Sequence, residues 1–153
     1  MKKILLAALA AILGLFAALP ATAQDMRLTP RERNEAIAEY RKQYGDDLVF
    51  YRDMETPPSY KGAADLSTLR QRIRNRLDNT GGINPGSTVW VSFIVDRQGK
   101  VRDARVIKGN NEKMNKTVLK VVSGSGKWDP GKIDGQPVDV VVTYGYSTVE
   151  GGS

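Results

Sequence analysis

Hydropathy patterning predicts an α+β chain. It would have a small antiparallel sheet, built from a β-hairpin and a C-terminal strand and covered on one face by two helices, with an extra N-terminal helix in front. Three observations carry this. Residues 88–96 alternate in strand fashion and lead through a glycine turn into a second extended run. Leu66, Leu69, Ile73 and Leu77, and later Met114, Val118 and Val122, recur at helical spacing. Residues 138–146 form a valine-rich run near the end of the chain.

Residues 1–23 read as a targeting segment and are set aside from the fold. Lys2 and Lys3 give a positive start, an apolar run follows, and Ala21-Thr22-Ala23 has the small-x-small form of a cleavage site. About 15 apolar residues at roughly 1.5 Å each reach only about 22 Å, short of a hydrocarbon core of roughly 30 Å, so a cleaved signal is expected over a membrane anchor. Its removal takes two lysines from the 23 basic and 17 acidic residues, lowering the net charge from +6 to near +4. Charges of both signs are interspersed, unlike the concentrated field of a nucleic-acid binder. The remaining residues, about 130, suffice for one modest core, read as a leader over 24–47 and a domain over 48–150.

Thr29-Pro30-Arg31-Glu32 has the spacing of a capping box with proline at the first helical position, and Gly45 is a stop. Between them Ile37, Tyr40 and Tyr44 give a thin apolar stripe, so this helix is expected to pack loosely. Residues 48–51 suit a short strand, and Thr56-Pro57-Pro58 forces an extended stretch. Tyr60-Lys61-Gly62 is a turn. Asp65 is placed to cap the helix that carries Leu66, Leu69, Ile73 and Leu77.

In the first hairpin strand, Val89, Val91, Phe93 and Val95 share one face and Trp90, Ser92 and Ile94 the other. Asp96-Arg97-Gln98-Gly99-Lys100 is the turn, and residues 101–108 return. Asn110 and Asn111 precede the helix of Met114, Val118 and Val122, which ends at Ser123-Gly124-Ser125-Gly126. Trp128-Asp129-Pro130-Gly131 and Asp134-Gly135 read as loop, and residues 150–153 as a frayed end. In the last strand, Val138, Val140, Val142 and Tyr144 fall on one face and Asp139, Val141, Thr143 and Gly145 on the other. Valines on both faces call for cover beyond one helix layer, which a bound peptide or a dimer partner could supply.

The hairpin from Val89 to Val106, the following helix, and Trp128-Asp-Pro-Gly131 with Gly135-Gln-Pro-Val138 succeed one another in the order seen in the C-terminal domain of TonB energy transducers. Pro58-Ser-Tyr-Lys-Gly-Ala-Ala-Asp-Leu66 resembles the segment before that family's first helix, and the likeness covers roughly residues 50–146. It departs from a full transducer in two respects: no membrane anchor and no long proline-rich spacer is read here. Tyr144-Gly-Tyr-Ser-Thr148 also replaces the usual proline-containing finish.

The resemblance implies a periplasmic, non-enzymatic module for TonB-dependent transport. It would bind an extended peptide of an outer-membrane transporter by strand addition at an exposed sheet edge. The last strand, with Val138, Val140, Val142 and Tyr144, is the expected edge, and a second copy of the chain is the other guest such an edge admits. The alternative is a structural envelope protein that holds peptidoglycan or anionic lipid through a basic face of Arg70, Arg72, Arg74 and Arg76. No cofactor, metal or nucleic acid is expected.

Enzyme chemistry finds little support in the composition. The chain has neither His nor Cys, which removes the Ser-His-Asp triad, thiolate nucleophiles, disulfides and the usual zinc sites. Asp46, Asp47, Asp53 and Glu55 lie close in sequence, but in loops without a sugar cleft. Ser125-Gly126-Lys127 lacks the first glycine and the final hydroxyl of a phosphate loop, because Val121 and Trp128 stand there.

Overall fold

The computed structural model describes residues 27–51 and 54–148. The expected signal segment, Asp53 and the expected frayed end over 150–153 lie outside them. The elements run in the order α1 (Pro30–Tyr44), β1 (Val49–Phe50), α2 (Ser67–Asp78), β2 (Thr88–Val95), β3 (Val101–Gly109), α3 (Glu112–Ser123), β4 (Lys132–Ile133), β5 (Gln136–Pro137) and β6 (Val140–Ser147). Four strands form one sheet in the order β1-β6-β2-β3, while β4 and β5 pair separately. The three long strands are antiparallel, and β1 adds to β6 in parallel. The result is the α+β fold expected, with an extra N-terminal helix.

Local chemistry starts and stops these elements where the sequence indicates. Thr29 and Glu32 close a full capping box around Pro30, and Gly45 ends the helix at φ 84°. The Asn111 side chain accepts from the Met114 N–H at 3.0 Å and starts α3. Asp65 acts one residue early: its carboxylate accepts from Ser67 N–H at 3.1 Å while Leu66 takes a left-handed φ of 61°. In the hairpin turn, Asp96 accepts from the N–H groups of Gln98 and Lys100, both at 2.9 Å.

Helices α2 and α3 cover one sheet face. Leu69, Ile73, Met114, Val118 and Val122 meet Val89, Val91, Phe93, Val95, Val140 and Val142 in one buried cluster. Between α3 and β6 the chain must return from the helix layer to the sheet, and Trp128 anchors that return. Its indole is 1% exposed and packs against Tyr60 and Phe93, with centroids 5.0 and 5.4 Å away. The Trp128 indole N–H donates to Ser125 Oγ at 2.8 Å, and its backbone N–H donates to the Gly99 carbonyl at 2.8 Å. The Trp-Asp-Pro-Gly connector is therefore docked onto the hairpin turn.

The second sheet face is covered from within the chain. Helix α1 lies there, and Tyr40, Leu48, Ile94 and Val141 form a second buried cluster. The expected external cover for the valines of the last strand is thus provided, at Val141, by the leader helix. Of its stripe only Tyr40 is buried, whereas Tyr44 is 39% exposed. Two further departures are small. Asp134-Gly135, read as loop, is the turn of the β4-β5 hairpin, which pairs over only two residues per strand. The last strand begins at Val140, because Val138 N–H is taken by the Gly131 carbonyl at 2.9 Å.

The Gly99 position admits no side chain. Its φ is +79°, and an added Cβ would stand 2.0 Å from the Trp128 carbonyl oxygen. Gly99→Ala should therefore destabilise the fold by at least about 2 kcal/mol in chemical denaturation, since strain in φ and a backbone clash act together.

Candidate functional site

The sheet has two outer edges, and they differ in quality as templates for a further strand. Strand β3 is irregular: its pairing with β2 shifts between Trp90 and Val91 and again between Ser92 and Ile94. Asp103 sits at a φ of 48°, and Arg102, Arg105 and Lys108 stud the strand. Bulges and charges are the means by which edges are kept from pairing. Strand β6 pairs with β2 through eight consecutive partners without a shift, from Val140 opposite Val95 to Ser147 opposite Thr88. On its other side β1 covers only Val140 and Val141. Among the described residues, no strand pairs with the rest of that side.

Which β6 groups face this edge follows from strand geometry, because the N–H and C=O of one residue leave on the same side and sides alternate. The Asp139 carbonyl accepts from Val49 N–H at 3.1 Å, so the odd-numbered residues point toward β1. Past the end of β1, Thr143 and Gly145 direct their backbone groups outward. Their side-chain positions lie on the α1 face of the sheet. Trp90 stands opposite Gly145, and a Cβ there would come within 2.7 Å of the indole ring. The glycine leaves room for that ring.

The residues singled out from sequence fall on the other side chain set. Val140 and Val142 are buried in the helix-side core, and Val138 and Tyr144 pack against it. They hold the strand in place, while the outward backbone belongs to Thr143 and Gly145. The same alternation that identified the valines could have identified these two. Burial pushes the Tyr144 phenol up to about 12, and it raises the Tyr146 phenol as well.

The four arginines of α2 divide into two flanks. The Arg70 guanidinium lies 5.4 Å from the Tyr146 ring centre, beside the end of β6. Arg72 donates to Tyr60 Oη at 2.6 Å and to the carbonyls of Ser125 and Gly124 at 3.3 and 3.2 Å, tying α2 to the connector. Arg72 and Arg76 line a groove of about 440 Å³ with Asn75, Asn79, Lys120 and Val121. Arg74 adds positive charge near Tyr146. No cluster of three or more His, Cys, Asp or Glu able to hold a metal occurs among the described residues.

Residues 85–147, from just before β2 to the end of β6, match the family model for the Gram-negative bacterial TonB protein C-terminal. This stretch is similar to the domain of that family. No curated protein and no solved structure matches the chain. TonB C-terminal domains are non-catalytic protein-interaction domains, found in the periplasm, that engage outer-membrane TonB-dependent receptors. The match spans the regular β6 edge and the Trp128 connector, and α1 lies before it. Among the described residues no helix is long and apolar enough to cross a membrane.

Helix α1 flanks the open edge, and Tyr40 anchors it. The Tyr40 hydroxyl contacts Ser92 Oγ at 2.9 Å and donates to the Asp103 carbonyl at 2.7 Å. Arg105 lies 4.5 Å from the ring centre, and its guanidinium holds the Asp103 carboxyl below the usual range. Burial pushes the Tyr40 phenol up to about 12. An unfolded tyrosine ionises near pH 10, so the unfolded chain releases this proton first, and stability falls as pH rises from about 10 to about 12. Tyr40→Phe should cost about 1 kcal/mol at neutral pH and show a shallower alkaline decline, with Tyr44, Tyr144 and Tyr146 supplying what remains, as followed by denaturant titration at several pH values.

Proposed function

We propose that this protein is a periplasmic, non-enzymatic binding module of TonB-dependent outer-membrane transport. It accepts an extended transporter segment as an added strand along β6. The observation that carries the reading is that a regular, unbulged strand loses its outer partner after Val141, in a stretch similar to the TonB C-terminal domain. Export through the signal segment ending at Ala23 goes with this reading. The core packing of Val140 and Val142 fixes the strand, so the guest meets a preformed template, with Val138 just before it and Tyr144 within it packed against the same core.

The expected affinity is modest. Thr143 and Gly145 offer two N–H and two C=O groups, and each backbone hydrogen bond contributes about 1 kcal/mol net. Together they come to about 4 kcal/mol, the equivalent of a dissociation constant of about 1 mM before the cost of association, so guest side chains must supply the rest of the binding at millimolar peptide.

A second reading has its own observation. The groove of Arg72, Arg76 and Lys120 gathers three cations between α2 and α3, where an anionic envelope polymer or headgroup could sit without any transport role. Binding through that groove should weaken sharply as salt rises to physiological strength, whereas backbone pairing at β6 should change little.

Titrating the protein with peptides from transporter N-termini, followed through backbone amide shifts, tests the first reading. Saturable shifts should concentrate over residues 142–147. Thr143→Pro removes an outward N–H without removing a bond to β2, and proline is tolerated at such edge positions, so it should abolish the shifts while leaving the fold intact. Absence of shifts at millimolar peptide would sink strand addition.

A further inference from the structure

Helix α1 carries charge of opposite sign on its two flanks. Glu32, Glu35 and Glu39 line a groove of about 550 Å³ toward the irregular β3 side, together with Arg105, Val106 and Ile107. Arg33, Ile37 and Arg41 follow each other at steps of four on the other flank. They line a groove of about 380 Å³ whose floor is Phe50, Tyr51, Trp90, Val141 and Thr143. This second groove runs alongside the β6 edge, because Val141 and Thr143 belong to both. The two acidic groups nearest the helix start are engaged, Glu32 with Lys108 at 3.1 Å and Glu35 with Arg31 at 2.8 Å. Neither Arg33 nor Arg41 forms an ion pair among the described residues; Arg41 lies 4.9 Å from the Phe50 ring centre.

We propose that α1 is a wall of the guest channel and selects an extended segment that turns one apolar and one acidic side chain, two positions apart, toward Arg33, Ile37 and Arg41. The inference rests on strand addition at β6 and adds to it what the guest must look like. Guest residues paired with Thr143 and Gly145 project on the α1 face. The apolar side chain lies over Ile37 and Trp90, and the acidic one reaches the arginines at the rim. Arg70 and Arg74, on the opposite face near Tyr146, add attraction of the same sign to the channel. A guest with basic side chains would be disfavoured on both faces, so the selection works by rejection as well as attraction.

The test uses three acetylated and amidated peptides, Thr-Leu-Thr-Glu-Thr and its counterparts with Gln or Lys in place of Glu, titrated against the protein and read by amide shifts. The Glu peptide should bind about threefold more tightly than the Gln peptide and about tenfold more tightly than the Lys peptide at low salt, as exposed ion pairs of this kind allow. In the Arg33→Glu, Arg41→Glu double variant the order should invert. Arg33→Glu alone, which leaves the Arg41 contact with Phe50, should erase most of the preference and guards against a folding defect in the double variant. Equal binding of all three peptides, abolished by Thr143→Pro, would overturn selection by α1 and leave strand addition standing. Binding of none would overturn both.

Discussion

The contact between the Trp128 backbone and the hairpin turn at Gly99 is the constraint on which the rest of the structure depends. Strand β6 does not extend the hairpin at its end; it lies between β1 and β2, and the chain must be delivered there from the far end of α3. Trp128 fixes that delivery with three attachments: a ring buried against Tyr60 and Phe93, an indole N–H on Ser125, and a backbone N–H on Gly99. Asp129 adds a reciprocal pair of backbone bonds with Ser59, at 2.9 and 3.1 Å. With the connector pinned, β6 enters in register with β2 and keeps that register over its whole length. A strand delivered loosely would slip, and a slip of one residue would exchange the core valines with the outward set.

That exchange matters because the two residue sets of β6 do different work. The even-numbered residues bind the strand to the domain through core packing, and the odd-numbered ones leave their backbone available beyond β1. The short length of β1 leaves this edge open: a longer partner would satisfy Thr143 and Gly145 and close it. The β3 side is managed in the opposite way, with two register shifts, a left-handed Asp103 and charged side chains. One sheet therefore carries one blunted edge and one regular, open edge, the arrangement that the proposed strand addition at β6 would use.

Much of the fold was legible because its elements repeat at the periods that define them. The hairpin of β2 and β3 and the stripes of α2 and α3 need only local pattern, and the caps at Thr29 and Asn111 need only spacing. The remainder depends on contacts between distant segments. A two-residue parallel strand such as β1 has no periodicity to read, and the β4-β5 pair is too short to differ from a loop. Helix α1 shows a charged surface with three apolar residues, and nothing local says that Tyr40, unlike Tyr44, enters a site prepared by Ser92 and Asp103. The candidate site was half legible. The strand itself is readable from its valines, but the proposed chemistry lies in backbone groups, and residue types carry no direct mark of which N–H lies past the end of β1.

The placement of α1 joins these points. A helix over the second sheet face is needed because Val141 and Ile94 would otherwise be exposed on it. A helix that served only as cover could carry its charges in any arrangement around the exposed arc. Here the acids gather toward the blunted β3 side, where Lys108 pairs with Glu32 and Arg105 lines the same groove, and Arg33 and Arg41 gather toward the open edge. Backbone pairing is indifferent to sequence, so any selectivity of the β6 edge must come from the side chains that wall it. The flank of α1 is a wall supplied from outside the family match, by residues before position 85, as are Arg70 and Arg74 of α2 on the opposite face. The shared domain would then provide the template, and the leader helix the choice among extended segments that could occupy it.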